Sequence, residues 1–201
     1  MGLVTRTWVV VPIKDFDSAK QRLSPAMGAK SRRALSRRNA KLAVEAARAS
    51  DRVLVVAGGE EVAELAASWG AEVLLEPREE GQNVAARRGI NRAVEKGAET
   101  ILLLSSDLPL ITPDAVKALL ESATRVTGPL VIAAPAIGRG GTNALYLRPP
   151  DAIGLHFGED SFAKFRDDAQ ARGVQFVVHE SEEMALDLDE PSDLTRLTKA
   201  V

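Results

Sequence analysis

Short apolar runs alternate with amphipathic stretches along most of the chain. Trp8-Val9-Val10-Val11 is continuously apolar, Arg52–Ala57 (RVLVVA) is apolar after its first residue, and Ile101-Leu102-Leu103-Leu104 is the most apolar of all. Runs this short, rich in branched residues and bounded by polar or turn residues, predict strands buried on both faces. Glu72–Leu75 and Leu130–Ala134 read the same way, and Pro12 is expected to end the first strand. Helical segments lie between them. Ser24-Pro25 offers an N-cap and first-turn proline to an Ala-rich helix reaching about Ala49. Glu60–Trp69 is a second helix, stopped by Gly70, and Gln82–Lys96 a third, closed by Gly97. Thr112-Pro113-Asp114 caps a fourth. Strand–helix alternation of this kind predicts an α/β fold, with a mostly parallel central sheet covered by helices on both faces.

Beyond residue 135 the regularity fades. Ala144–Leu147 and Val174–Val178 predict strands on either side of a helix from Ser161 to Arg172. Leu186-Asp187-Leu188 is a short apolar-acidic stretch, and Pro191–Ala200 predicts a terminal helix. One of the later strands should be antiparallel or lie at an edge. No repeat or linker divides the chain, so residues 1–201 are expected to form a single domain.

Composition narrows the partners. The net charge of −2 provides no global field for nucleic acid or an anionic membrane, so any anion site must be local. The absence of cysteine excludes disulfides, thiolate nucleophiles and zinc–thiolate sites, and it fits a reducing cytoplasm. The apolar runs are too short to span a bilayer. The first one leads straight into Lys14, unlike a secretory signal, and Gly2 is followed at position six by Arg6 rather than the Ser or Thr of a myristoylation motif. A cytoplasmic protein with neither nucleic-acid nor membrane partner is expected.

Several segments carry candidate chemistry. The loop after the first strand holds Lys14, Lys20 and Arg22 and no glycine. Loops at the carboxyl ends of strands are where open α/β sheets bind ligands, and three cations there suit a polyphosphate; a solvated surface loop is the plainer account. Asp107, in Ser105-Ser106-Asp107-Leu108-Pro109, stands at the end of the fourth strand, where it could hold a divalent cation or cap a turn. Asp187 and Asp189 alternate with Leu188, which on a strand would put both carboxylates on one face. Together with Asp107 they could converge on one or two metal ions; Asp189 also suits an N-cap before Pro191.

Gly138-Arg139-Gly140-Gly141-Thr142-Asn143 offers backbone N–H groups, a charge from Arg139 and a hydroxyl from Thr142 to an anion, or is simply a hairpin turn. Phe157-Gly158-Glu159-Asp160-Ser161 opens a helix, either as an anion site or with Asp160 or Ser161 as cap. The side-chain amides of Gly81-Gln82-Asn83 suit a nucleobase edge, or Asn83 caps the third helix. The basic run Lys30, Arg32, Arg33, Arg37, Arg38, Lys41 reads as a solvated helix face. His156 and His179 have no carboxylate or second histidine nearby in sequence and receive no role.

Taken in order, VVPIKDFDSAKQRLSP, the GQN segment, SSDLP, GRGGTNAL, FGEDSF and DLDEPSDL resemble the CofC/FbiD guanylyltransferases of coenzyme F-420 biosynthesis, from Val9 to about Leu194. The resemblance implies a three-layer, Rossmann-like nucleotidyltransferase of the nucleotide-diphospho-sugar transferase or molybdopterin-guanylyltransferase (MobA-like) type. It implies joining GTP to a small phosphorylated three-carbon acid with release of pyrophosphate. Members of that family differ in the acid; the Ala- and Arg-rich composition hints at a GC-rich bacterial genome, which by association with actinobacterial members favours phosphoenolpyruvate, with 2-phospholactate and 3-phosphoglycerate as alternatives. It further implies Thr142, Gly158 and Ser161 on the acid, and Asp107, Asp187 and Asp189 on magnesium. Pro12, Lys14, Lys20, Arg22, Gly81 and Asn83 would lie toward the nucleotide, with Lys14, Lys20, Arg22 and Asp107 central to catalysis, and the resemblance suggests a homodimer. The usual GLN triplet reads Gly81-Gln82-Asn83 here.

Two rivals remain from the residues alone. A relative using another acceptor, such as a sugar phosphate or molybdopterin, is one; molybdopterin enzymes of this fold usually carry a glycine-rich loop after the first strand, absent here. A dinucleotide-binding module is the other, but its G-x-G-x-x-G fingerprint is missing after Val11.

Overall fold

The structure, a computed structural model, describes residues 6–138 and 140–200, with side chains described to 198. Gly2 and Arg139 lie outside the described residues. Among those described, one sheet contains β1 (Thr7–Ile13), β2 (Arg52–Ala57), β3 (Glu72–Leu75), β4 (Thr100–Leu104), β5 (Leu130–Pro135), β6 (Thr142–Arg148) and β7 (Gln175–Val178). The spatial order is β3-β2-β1-β4-β6-β5-β7. Every neighbouring pair is parallel except β4–β6 and β5–β6, so the antiparallel element expected late in the chain is β6, an interior strand, while β7 lies at the edge. The helices are α1 (Ala29–Ala47), α2 (Glu60–Ser68), α3 (Gln82–Glu95), α4 (Pro113–Thr124), α5 (Ser161–Ala171), α6 (Glu182–Ala185) and α7 (Pro191–Ala200). No described helix is long and apolar enough to cross a membrane.

The apolar runs are continuous because both faces of the sheet are covered. Val9, Val11, Val55, Leu102 and Leu104 pack with α1, α2 and α4 on one side. Trp8, Val10, Leu54, Val56, Ile101 and Leu103 pack with α3 and α5 on the other. The α3 contact is tight at Gly89, where a Cβ would stand 2.4 Å from Val10 Cγ1 and 2.8 Å from Val56 Cγ2. Only glycine lets this helix approach so closely. Thr112 caps α4 as expected, accepting from the Ala115 amide at 3.2 Å.

Three boundaries differ from the sequence-based expectation. Pro12 does not end β1; the strand continues to Ile13, with Pro12 opposite Val56. The Ile13 carbonyl accepts from Gly58 on the β2 side, so Pro12 faces the β4 side, where pairing with β4 stops at Val10 and no donor is needed. The first helix opens at Ala29, not at Ser24-Pro25. Gln21–Leu23 forms a 3-10 turn anchored by buried Leu23, and Gly28 is extended immediately before α1. Leu186–Asp189 is irregular rather than a strand.

β1 connects outward to β2 on one side and lies beside β4 on the other. That reversal opens a crevice at the carboxyl ends of β1 and β4, the usual binding position in an open α/β sheet.

Candidate active site

The crevice is a cleft of about 1160 Å³. A single small-molecule pocket typically measures roughly 300–1,000 Å³, so this one has room for two ligands side by side. Its walls come from the loop after β1, the end of β4, the β5–β6 hairpin, the turn before α5 and the segment after α6.

On one side, Lys20 holds the rim together. Its side chain is 1% exposed and donates from Nζ to Asp107 Oδ1 at 2.6 Å and to the Leu188 carbonyl at 2.7 Å. The Leu188 amide in turn donates to the Asp107 carbonyl at 3.1 Å. Lys20 itself adopts a left-handed backbone conformation, φ 55°. Beside it, Arg22 donates to Asp189 Oδ2 at 2.8 Å. Leu186 and Leu188 are buried while Asp187 and Asp189 line the cleft, so the acidic pair shares a side as expected, although no sheet ladder imposes it. The segment is pinned instead by buried Asn143, which donates to the Met184 carbonyl at 2.8 Å, and by the Ile137 amide on the Ala185 carbonyl.

Facing this rim, the β5–β6 hairpin and the turn before α5 form a glycine- and hydroxyl-lined wall. Ser161 Oγ and Thr142 Oγ1 are 3.1 Å apart and buried, at the start of α5 and of β6 respectively. The Phe162 amide donates to the Gly140 carbonyl at 3.0 Å, which ties the two loops together. Gly158 has φ 126° and Asp160 φ 51°, so this turn takes an unusual path.

Most of the candidate residues meet here. Pro12, Lys14, Lys20, Arg22, Gly81, Asp107, Thr142, Gly158, Ser161, Asp187 and Asp189 all line the one cleft. The structure corrects several expectations. Lys20 is not an open cation: its ammonium is buried and committed to Asp107 and Leu188. Asp107, Asp187 and Asp189 do not converge into a ready-made metal cage, and no group of three such ligands occurs among the described residues. In the structure Asp107 pairs with Lys20 and Asp189 with Arg22. Asn83 does not face the cleft; its amide is bonded to the backbone of Phe157. Nor does it cap α3, whose N-cap is Gly81. Neither Asp160 nor Ser161 caps α5 through its side chain. At the start of α7 the residue before Pro191 is Glu190, and Asp193 Oδ2 accepts from the amides of Asp189 and Glu190, at 3.0 and 2.8 Å.

His156 does have a carboxylate partner, Asp168, twelve residues away and 2.9 Å from Nε2. Burial of Asp168 would raise its pKa, yet hydrogen bonds from His156, Arg172 and the Gly154 amide outweigh that and hold it at about 2. The cluster braces the 154–156 segment outside the cleft. Burial lowers the pKa of His179, partly opposed by Glu183. The basic run on α1 is solvated at Lys30, Arg37, Arg38 and Lys41, but Arg32 and Arg33 are half-buried and Arg33 pairs with Asp17 and Glu61.

Two residues escaped the sequence reading. Ser36 lines the cleft and Asn39 lies against Asp107, its Nδ2 3.5 Å from that carbonyl. Both are buried, with Ser36 Oγ and Asn39 Oδ1 lacking hydrogen-bond partners among the described residues. The available signal was two small polar residues three apart, next to the buried face Ala40, Ala43 and Ala47 of α1.

Residues 7–199 match the family described as "Guanylyl transferase CofC like". A phosphoenolpyruvate guanylyltransferase of Rubrobacter xylanophilus is 42% identical over 194 residues, covering 94% of this chain and 92% of that protein. A 2-phospho-L-lactate guanylyltransferase of Methanothermobacter thermautotrophicus is 35% identical over 190 residues, covering 94% and 82%. Among solved structures, a nucleotidyl transferase from Methanothermobacter superposes with a TM-score of 0.68 over 97% of each chain at 18% identity, which is a likeness of fold. With the family match and these relatives agreeing over nearly the whole chain, the chain belongs to the CofC-like guanylyltransferase family.

Proposed function

We propose that the chain transfers the guanylyl group of GTP to phosphoenolpyruvate, releasing pyrophosphate, as one domain in coenzyme F-420 biosynthesis. The observation that carries guanylyl transfer is the joining, in one cleft, of the cationic loop after β1, the carboxylates of Asp107, Asp187 and Asp189, and the hydroxyl wall of Thr142 and Ser161. Phosphoenolpyruvate as acceptor is supported by the 42% identical relative that carries that name.

In this reading Lys14 and Arg22 meet the GTP phosphates, while Thr142, Gly158 and Ser161 hold the acid. An oxygen of the acid's phosphate attacks the α-phosphorus of GTP. A new phosphorus–oxygen bond forms as the bond to the bridging oxygen of the β-phosphate breaks, and pyrophosphate departs. A phosphomonoester has a second pKa near 6, so the nucleophile is mostly dianionic at neutral pH and no general base is required. The difficulty is bringing two polyanions together, and fixed cations and backbone N–H groups offset it by neutralising and aligning them.

The donor set also fits magnesium. It is all oxygen, and the rim carboxylates already face cations in Lys20 and Arg22. Magnesium is usually held by one or two carboxylates plus substrate phosphates, so no three-residue cage is needed. Asp107, with Asp187 or Asp189, would hold it together with substrate phosphates, and when bound it would neutralise phosphate charge.

The test is turnover of GTP with phosphoenolpyruvate, 2-phospholactate and 3-phosphoglycerate in parallel, reading pyrophosphate release and the mass of the product. Phosphoenolpyruvate should give the highest kcat/KM. Preference for another acid would reassign the acceptor, and inactivity with all three would overturn guanylyl transfer to such acids.

A further inference from the structure

Asn83 lies in the first turn of α3, beside Gly81 and Gln82 of the cleft wall, yet its side chain is spent on a single distant residue. Nδ2 donates to the Phe157 carbonyl at 3.0 Å, and the Phe157 amide donates to Oδ1 at 2.8 Å. The pair imitates one rung of a sheet ladder. A carboxamide is needed for it, since it offers a donor and an acceptor in one plane. Phe157 is the last residue before Gly158, and the turn from there to Ser161 contains two positive-φ residues and is largely exposed. Such a turn has little packing of its own to fix it. Its upstream end is held from the other side, where Asp168 accepts from the Gly154 amide at 2.7 Å, and the Phe157 ring packs edge-on against Phe165 at 5.1 Å.

We propose that Asn83 is a positioning residue that fixes the acid-binding turn, Phe157–Ser161, against the nucleotide-side turn at Gly81-Gln82, so that one side chain holds the two subsites in register. This rests on the assignment of Gly158 and Ser161 to the acid. The two ends of the tether are unequal. The α3 end is locked by Ala85, Ala86, Gly89 and Ile90 in the core, whereas the turn before α5 is exposed at Gly158, Glu159 and Asp160 and is held mainly at its ends. Loss of the tether therefore loosens the acid side and spares the nucleotide side.

The experiment compares wild type with Asn83→Asp, which keeps an acceptor but sets a carboxylate against the Phe157 carbonyl, and Asn83→Ala, which removes both bonds. Steady-state constants for GTP and for phosphoenolpyruvate are measured beside thermal melting and hydrogen exchange of the Phe157 amide. Both variants should raise the KM of the acid about tenfold or more while changing that of GTP by less than about twofold, as expected for losing roughly one charge-free hydrogen-bonded tether at one subsite. The Phe157 amide should exchange faster in Asn83→Ala. An unchanged acid KM in both variants would overturn the proposal, as would equal changes in both KM values that track a lowered melting temperature. If wild type turns over none of the acids, the guanylyl-transfer reading fails by itself, and the exchange of Phe157 still decides whether Asn83 holds the turn.

Discussion

Lys20 and Asp107, 87 residues apart, meet through a 2.6 Å ion pair that closes the loop after β1 onto the end of β4. The lysine is buried and the aspartate is 38% exposed, so the cation is the fixed partner and the carboxylate the one open to the cleft. The left-handed backbone of a non-glycine residue costs roughly 1–2 kcal/mol, which the contacts of Nζ with Asp107 and Leu188 offset.

Asp107→Asn should therefore fail twice over. It removes a carboxylate from the proposed catalytic rim and leaves a buried ammonium without its counter-charge. We expect pyrophosphate release to fall by about 100-fold or more, with a loss of stability of about 1–3 kcal/mol in denaturant titrations. Full release from this variant would remove Asp107 from the mechanism.

Arg22 presents the opposite case. Its side chain is 70% exposed, so its pair with Asp189 should add less than about 1 kcal/mol to stability. Arg22→Ala is expected to melt with wild type but to raise the KM for GTP about tenfold, the order expected for losing a charged phosphate contact. A KM equal to wild type would place the GTP phosphates elsewhere.

Asp168 makes stability pH-dependent in acid. Its folded pKa of about 2 lies below the ordinary 3.8, so the ionised form is favoured by folding. The contribution is complete above about pH 5 and is lost as pH falls through 3.8 toward 2. The melting-temperature gap between wild type and Asp168→Asn should thus stay level from neutral pH down to about 5 and shrink below 4. A gap that widens in acid would contradict the arrangement.

Gly89→Ala tests the packing that places α3. The added methyl has no room beside Val10 and Val56 and should cost about 1–3 kcal/mol, seen as a lower denaturation midpoint with an unchanged m-value. An unaffected midpoint would mean that α3 slides outward freely.

The sheet was legible because buried parallel strands write their pattern locally: Trp8–Val11, Arg52–Ala57 and Ile101–Leu104 need no partner to be recognised. The order of strands was not, since it depends on pairing between segments far apart, such as Leu103 with Leu145. The cleft was legible through clusters of charge, glycine and hydroxyl at strand ends. What those groups do to each other was hidden. Nothing near Lys20 in sequence announces Asp107 or the Leu188 carbonyl, and nothing near Asn83 announces Phe157, 74 residues on. The expectation for Leu186–Asp189 had the right side-chain arrangement for the wrong reason, because Asn143 and Lys20, not a strand ladder, hold that segment.

Because β6 runs against both its neighbours, Thr142 and Asn143 enter the rim at the same end where β4 and β5 leave it. The wall formed by the hairpin and the α5 turn is thereby borne on a different part of the sheet from the loop after β1. On the proposed assignment of the acid to this wall and of GTP to the loop after β1, remodelling those two connections would retune which small acid is accepted and leave the grip on the triphosphate as it was. A scaffold divided this way can diversify its acceptors without reinventing its donor.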